Sequence, residues 1–391
     1  MRNLIIILIL SVFIGCAEQS SETKIIVLKN TLEIPRLNET VEISKSSLGF
    51  SKEESFELYG VKNMENNTFL TTQFIDEDAD GNVDVLLFQP MLKANSEAEF
   101  QIVKLEQAEE EKSVAICYSR FVPERTDDYA WENNKVGFRT FGPTAQKMIE
   151  ENVKGGTLTS GIDAWLKKVE YPIINKWYQK ATNGEGTYHE DTGEGLDNFH
   201  VGISRGVGGV AVKVDTSYYF SKNFSAWKTI STGPIRTSFI LTYKNWDAAG
   251  NVISEEKHIS LDYGSNLSKF EISITGTNQI ATGLTLHEND GEATVNKNEG
   301  WLSYWQPHGD SELGTGIVAP KELFVGSENY VTKLKDASNL YAFLKVENQK
   351  VIYYAGFGWK EAGEFKSKDS WNAYLQQFAK KVNNPIQIQF K

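Results

Sequence analysis

Short β-prone runs separated by polar turns set the rhythm of the first third of the chain. Residues 25–28, 40–43, 69–74, 83–88 and 99–103 are such runs, and they predict a β-rich N-terminal region over residues 24–118. The period changes between Pro143 and Ala181. Met148, Ile149 and Val153, then Trp165, Val169, Ile173 and Trp177, fall at helical spacings broken by Gly155, Gly156 and Pro172. These predict helices or helical turns crossing one face. From Val210 onward strands return, with alternation in Phe239, Leu241 and Tyr243, in Phe270, Ile272 and Ile274, and again near residues 283–287 and 350–357. A turn-rich stretch at 247–251 joins two of these runs. Near the end, Ser370 is positioned to cap a helix whose stripe is Trp371, Tyr374, Leu375, Phe378 and Val382. This helix should cover an open sheet edge or face. Pro385 stops it, and residues 386–390 alternate as a terminal strand. The sum is a mainly β protein, a large antiparallel β-sandwich with a few covering helices. Residues 119–391 form its larger part, or residues 24–391 form one continuous domain.

Arg2 precedes an apolar run over residues 4–14, shorter than the roughly 20 residues a helix needs to cross a bilayer. Residues 1–15 therefore read as an export signal, and Gly15 before Cys16 matches the cleavage box of bacterial lipoproteins. Cys16 would then carry lipid, each buried methylene contributing about 0.8 kcal/mol to anchoring. Residues 16–23 would be a polar tether. Ala17 and Glu18 after the cysteine favour outer-membrane attachment, facing the periplasm. The competing reading is the first core strand of a cytosolic protein. With Cys16 used for lipid only Cys117 remains, inside an apolar stretch, so no internal disulfide or cysteine cage can form. Cys117 should be core.

Across 391 residues, 40 basic side chains face 52 acidic ones, a formal charge of -12 that argues against a nucleic-acid partner. Asp76, Asp78, Asp80 and Asp84 alternate around Gly81, a spacing that lets oxygens converge on calcium. A helical calcium loop would need a glutamate where Leu87 stands, so the choice is a strand-turn-strand calcium site or a solvated hairpin turn. Either is structural, and no other cofactor is required. Gly202-Ile203-Ser204-Arg205-Gly206 has the letters of a nucleophile elbow, but Val207 resumes a strand and no parallel βαβ alternation surrounds it. Richer chemistry lies in Tyr188, His189, Glu190 and Asp191 and then Glu194, Asp197, His200 and Arg205, where titratable groups crowd a glycine-rich stretch. Arg125, Arg139, Arg205 and Arg236 can each hold a carboxylate or sulfate bidentately; for Arg205 an ion pair with Glu194 or Asp197 competes. His287 ends a strand, and Trp301, Trp305 and His308 follow as aromatic faces beside a proton carrier, as Trp131 stands near Arg125. His258 should be exposed.

Three segments taken together resemble one lipoprotein family long described only as a domain of unknown function. They are Trp131-Glu-Asn-Asn through Phe138-Arg139-Thr-Phe-Gly-Pro143, Gly161-Ile-Asp-Ala-Trp165 through Trp177-Tyr178, and Gly193-Glu-Gly through His200-Val-Gly-Ile-Ser-Arg-Gly206. That family accompanies polysaccharide-degrading enzymes and includes an oligosaccharide dehydratase of ulvan breakdown. The β-rich pattern is also similar to the galactose-mutarotase-like super-sandwich, whose concave sheet holds sugars. The resemblance implies removal of water from a non-reducing-end uronic acid, with a base for the C5 proton, a cation for the carboxylate and an acid for the departing C4 hydroxyl. His189, His200 and His287 are then the acid/base candidates, with Tyr188 an alternative base. Arg139, Arg205 and Arg236 are the carboxylate clamps, and Trp131, Trp301, Trp305 and His308 the sugar contacts. The unsaturated product would pass to unsaturated-glycuronyl hydrolases without a stable complex. A non-catalytic glycan-binding lipoprotein and a polysaccharide lyase are the main alternatives, and a mutarotase or epimerase a weaker one.

Overall fold

The computed structural model describes residues 24–51, 54–105, 115–334 and 336–391. The expected leader over 1–15, the lipidated Cys16 and the tether lie outside the described residues.

Strand Lys24–Asn30 pairs antiparallel with Ser96–Lys104 on one side and with the terminal strand Gln387–Phe390 on the other. The alternation at residues 386–390 thus finds its partner at the opposite end of the chain. A second sheet, Val41–Ser44, Val85–Phe88 and Thr72–Ile75, packs against the first over Ile26, Leu28, Ile43, Phe88 and Phe100. The run expected at 69–74 is two strands: Phe69–Leu70 belongs to the first sheet and Thr72–Ile75 to the second. Thr71 is the corner where the chain changes sheets.

A nine-stranded sheet and a five-stranded sheet, with antiparallel pairing throughout, make up the large sandwich expected from the alternation. Phe239 and Leu241 from Arg236–Thr242, and Phe270, Ile272 and Ile274 from Leu267–Thr275, point inward to meet Ile280, Leu284 and Leu344. A third sheet, running Tyr118–Val122, Asp128–Glu132, Gly137–Thr140, Asp163–Lys167 and Gly195–Leu196, adds Tyr129, Trp131, Phe138 and Leu166 to the same core. Its other face is covered by a helix.

Among the described residues three α-helices cover these layers: α1 (Pro143–Glu150), α2 (Ile174–Thr182) and α3 (Lys368–Asn383). Trp165, expected on a helix, lies in a strand opposite Gly137. Its spacing to Ile173 and Trp177 mimics a helix because strand, turn and α2 all feed one cluster. Helix α3 crosses the outer face of strands Trp301–His308 and Ser311–Val318 and buries Trp371, Leu375 and Ala379 there. Close approach depends on glycine: a Cβ at Gly314 would stand 2.6 Å from Trp371. The cap is Ser367 and not Ser370, which sits at the third helical position and whose hydroxyl oxygen accepts from the Ser367 backbone N–H to complete a capping box.

Candidate active site

Period-two alternation in the third sheet explains how charge collects on one face. In Asp128–Glu132, Gly137–Thr140 and Asp163–Lys167, alternate residues enter the main core, while Asp128, Glu132, Arg139, Asp163, Trp165 and Lys167 face α2. Register sets Arg139 directly opposite Asp163. Glu132, fully buried, accepts from Lys167 Nζ at 2.8 Å and from the backbone N–H groups of Ile173 and Ile174, both at 2.8 Å. It thereby caps the start of α2.

One guanidinium serves three carboxylates. Arg139 donates to Asp163 at 2.5 Å and to Asp197 at 2.9 Å, and lies 3.7 Å from Asp128. Burial pushes Asp128 up to about 6, although Arg139 and Arg125 pull it down. Asp163 is held well above the ordinary range by burial and the neighbouring Asp197, and burial raises Asp197 too. Asp128 Oδ1 and Asp163 Oδ1 are buried without hydrogen-bond partners, the positions where protons can be stored.

Tyr188 closes this face. Its hydroxyl oxygen accepts from Arg125 Nε at 3.2 Å and from Arg139 Nη1 at 3.3 Å. Both contacts are donors, so the phenolic proton points elsewhere. Among the described residues no carboxylate lies within 4.0 Å of Arg125, whose partners are Tyr188 and Thr126. The turn holding it is strained, with Thr126 at φ 50° and Asp127 at φ 65°. His189 packs beside Tyr188, ring centroids 4.6 Å apart. Its Nδ1 is 2.6 Å from the carbonyl oxygen of Asp197, which can only accept, so Nδ1 carries a proton and Nε2 is the nitrogen that bears the lone pair in the neutral ring. A cleft of about 580 Å3 lined by Tyr171, Lys176, Glu190 and Glu194 opens next to Tyr188.

Three further histidines gather where residues 197–200 continue. His308 Nε2 lies 3.0 Å from Asn198 Oδ1, Phe199 packs edge-on to His287 at 4.7 Å, and the His287 and His308 rings are 5.5 Å apart. His200, exposed, pairs with Asp336 at 3.0 Å. Burial lowers His287 and, together with His287, lowers His308 to about 4, so both rings are neutral near pH 7. His287 holds a left-handed φ of 47°. Its Nε2 faces the carbonyl of His200 at 3.1 Å and its Nδ1 faces Gln306 Oε1 at 3.0 Å, while Gln306 Nε2 has no partner. Turning the Gln306 amide over lets that orphan donate to Nδ1 and leaves neutral His287 its single proton for His200.

Other expected site residues lie elsewhere. Arg205 makes no pair with Glu194 or Asp197; it is wholly buried, donates to Ser160 Oγ and the Ile203 carbonyl at 3.0 Å, and stacks 3.9 Å from the Phe220 ring. Burial lowers it to about 10, with Tyr341 and Glu255 offsetting only part of the effect. Arg236 is held by Asp262 and Glu42, both at 2.6 Å. Trp131 is core, donating to Ser268, and Trp301 and Trp305 lie under α3, donating to Gln376 and Glu312. None of these indoles offers a free face to the histidines. Ser204 is buried against the Val201 carbonyl, and Cys117 is core with burial raising its thiol. His258 is half-buried instead of exposed, because the strands on either side place Ile240 and Glu271 beside it. In the acidic turn, Asp76, Asp78 and Asp84 bring oxygens within 4.8 Å of one another, while Asp80 accepts from the Asn82 side chain. The strands on both sides of the turn make it strand-turn-strand. Asp128, Asp163, Asn198, Gln306 and Asp336 were not anticipated. For the first two, the signal is a charged residue at the α2-facing alternate positions of otherwise apolar strands.

The family model described as "Domain of unknown function (DUF4861)" matches residues 28–388. "Uncharacterized protein P7" of Formosa agariphila is 59% identical over 379 residues, covering 97% of this chain and 96% of that one. Among solved structures, a glycosyl hydrolase family 38 protein from Enterococcus faecalis superposes with TM-score 0.46 at 11% identity, over 95% of this chain and 48% of that chain. An alpha-mannosidase from Enterococcus faecalis V583 gives 0.45 at 10%, over 95% and 46%. The chain spans about half the length of both structures.

Proposed function

We propose a function for this chain, which belongs to the DUF4861 family: it is a hydro-lyase that eliminates water from the non-reducing-end uronic acid of ulvan-type oligosaccharides. The observation that carries the reading is the adjacency of His189, Tyr188 and Arg125, an imidazole whose Nδ1 is taken by a carbonyl, a phenol with an undirected proton and a guanidinium with no carboxylate within 4.0 Å among the described residues. In this reading Arg125 has the carboxylate-holding role that the family resemblance implies for Arg139, Arg205 and Arg236, since those three are already committed to protein groups.

His189 Nε2 removes the C5 proton, and the electron pair of that C–H bond becomes the C4–C5 double bond. Arg125 pairs with the sugar carboxylate as charge spreads into it. Tyr188 gives its proton to the C4 oxygen, which leaves as water. Asp197 Oδ2, 3.6 Å from His189 Nδ1, faces the imidazolium that forms. The proton then returns from His189 to Tyr188, directly or through solvent, and the enzyme is restored. His287 and His308, neutral and half-buried, hold Asn198 and Phe199 and so position the 197–200 segment. A lipid on Cys16 would keep the domain at the outer membrane on the periplasmic side, where unsaturated-glycuronyl hydrolases consume the product.

Incubation with saturated uronate oligosaccharides tests this. The reading expects absorbance from a conjugated enol ether and loss of one water per chain at unchanged length. Unchanged mass would instead mark a glycan-binding protein, and shortened chains a polysaccharide lyase.

A further inference from the structure

Away from His189, His200, His287 and His308, beside α3, a cleft of about 270 Å3 opens between residues 37–42, the outer face of the nine-stranded sheet and the end of the helix. One wall is aromatic, formed by Tyr354, Tyr374 and Phe378, with Tyr354 and Phe378 edge-to-face at 5.0 Å. The other is charged, formed by Glu39, Glu42, Arg236 and Asp262. Fully buried Arg36 ties the walls together by donating to Glu39 at 2.6 Å and to the carbonyl of Asn384 just past α3. The cleft is therefore built into the fold.

Polar groups remain unspent around it. Glu39 Oε2 is buried with no hydrogen-bond partner. Among the described residues the Tyr354 hydroxyl makes no hydrogen bond, and no carboxylate lies within 4.0 Å of the Lys381 ammonium, which burial lowers. Lining charges balance: Glu39, Glu42 and Asp262 stand against Arg236, Lys269 and Lys381. Balance disfavours a polyanion. A pyranose ring matches the two walls, because its C–H face stacks on aromatic rings while its hydroxyls both donate and accept.

We propose that this cleft is a saccharide-binding subsite, separate from the His189, Tyr188 and Arg125 group, that takes a pyranose unit carrying at most one acidic substituent, which Lys381 would meet. It does not depend on the dehydratase reading. Calorimetric titration of the full chain with a glucuronate-rhamnose tetrasaccharide, in an Arg125→Gln background to weaken the other site, is the test. Binding should persist in that background and weaken at least tenfold in Tyr354→Phe and in Lys381→Met, with thermal melting confirming the fold. If either variant fails to fold, Glu39→Gln should show the same loss. Absence of binding in the Arg125→Gln background, or affinities within twofold of that background in the folded variants, would overturn the proposal.

Discussion

Arg139 alone cannot neutralise three carboxylates, and half-buried Arg125 makes up only part of the difference, so the Asp128, Asp163 and Asp197 set retains a proton that an exposed set would lose. Asp128 titrates at about 6 in the folded protein against 3.8 when free, so the native state holds the proton more tightly. Its contribution is fully present below the unfolded value and is lost as pH rises to about 6, worth about 3 kcal/mol at 1.36 kcal/mol per unit. His308 works in the opposite direction: its folded value is depressed to about 4, so stability is lost as pH falls through that range. The two offset in the wild type. Asp128→Asn separates them: its stability relative to wild type should rise by about 3 kcal/mol between pH 4 and 7, measured by urea denaturation. A pH-independent difference would refute the stored proton. The two arginines should also part company. Arg125→Gln should lower turnover by about a hundredfold or more with the melting temperature nearly unchanged. Arg139→Gln, by abandoning buried carboxylates, should cost about 3–5 kcal/mol of stability, read by denaturant unfolding.

At the scale of elements, α2 is held less by its own sequence than by Glu132, which satisfies its first N–H groups and Lys167 together. Glu132→Ala should therefore destabilise the protein by about 3–5 kcal/mol, since it strands a fully buried ammonium and uncaps a helix. Circular dichroism melting reads this directly, and a shift of only a degree or two would deny Glu132 that role. Such elements were unevenly legible in the sequence. Phe270, Ile272 and Ile274, or the stripe of α3, announce strand and helix because a whole face is apolar. Trp165 misleads because periodicity records which residues meet a cluster, and a strand, a turn and a helix can meet the same one. Ser370 misleads more mildly, since in a capping box Ser367 and Ser370 share the chemistry.

For the whole molecule, pairing of Gln387–Phe390 with Lys24–Asn30 joins the first and last described strands, and the large sandwich carries the third sheet, with its buried charges, on its flank. That the fold is antiparallel β could be read from alternation alone. The grouping of Tyr188 with His189, and of His200 with His287 and His308, could be suspected from composition, but their partners could not. Arg125 reaches Tyr188 across 63 residues and His200 reaches Asp336 across 136, separations no local pattern encodes. Trp131, Trp301 and Trp305 read as sugar platforms by residue type, yet sheet register and α3 bury them. The central claim is that His189 is the proton-abstracting base on a uronate. Mass spectrometry of ulvan oligosaccharides after incubation with wild type and with folded His189→Gln tests it most directly. The account predicts products one water lighter from the wild type and unaltered substrate from the variant. Dehydration by His189→Gln at the wild-type rate would contradict it.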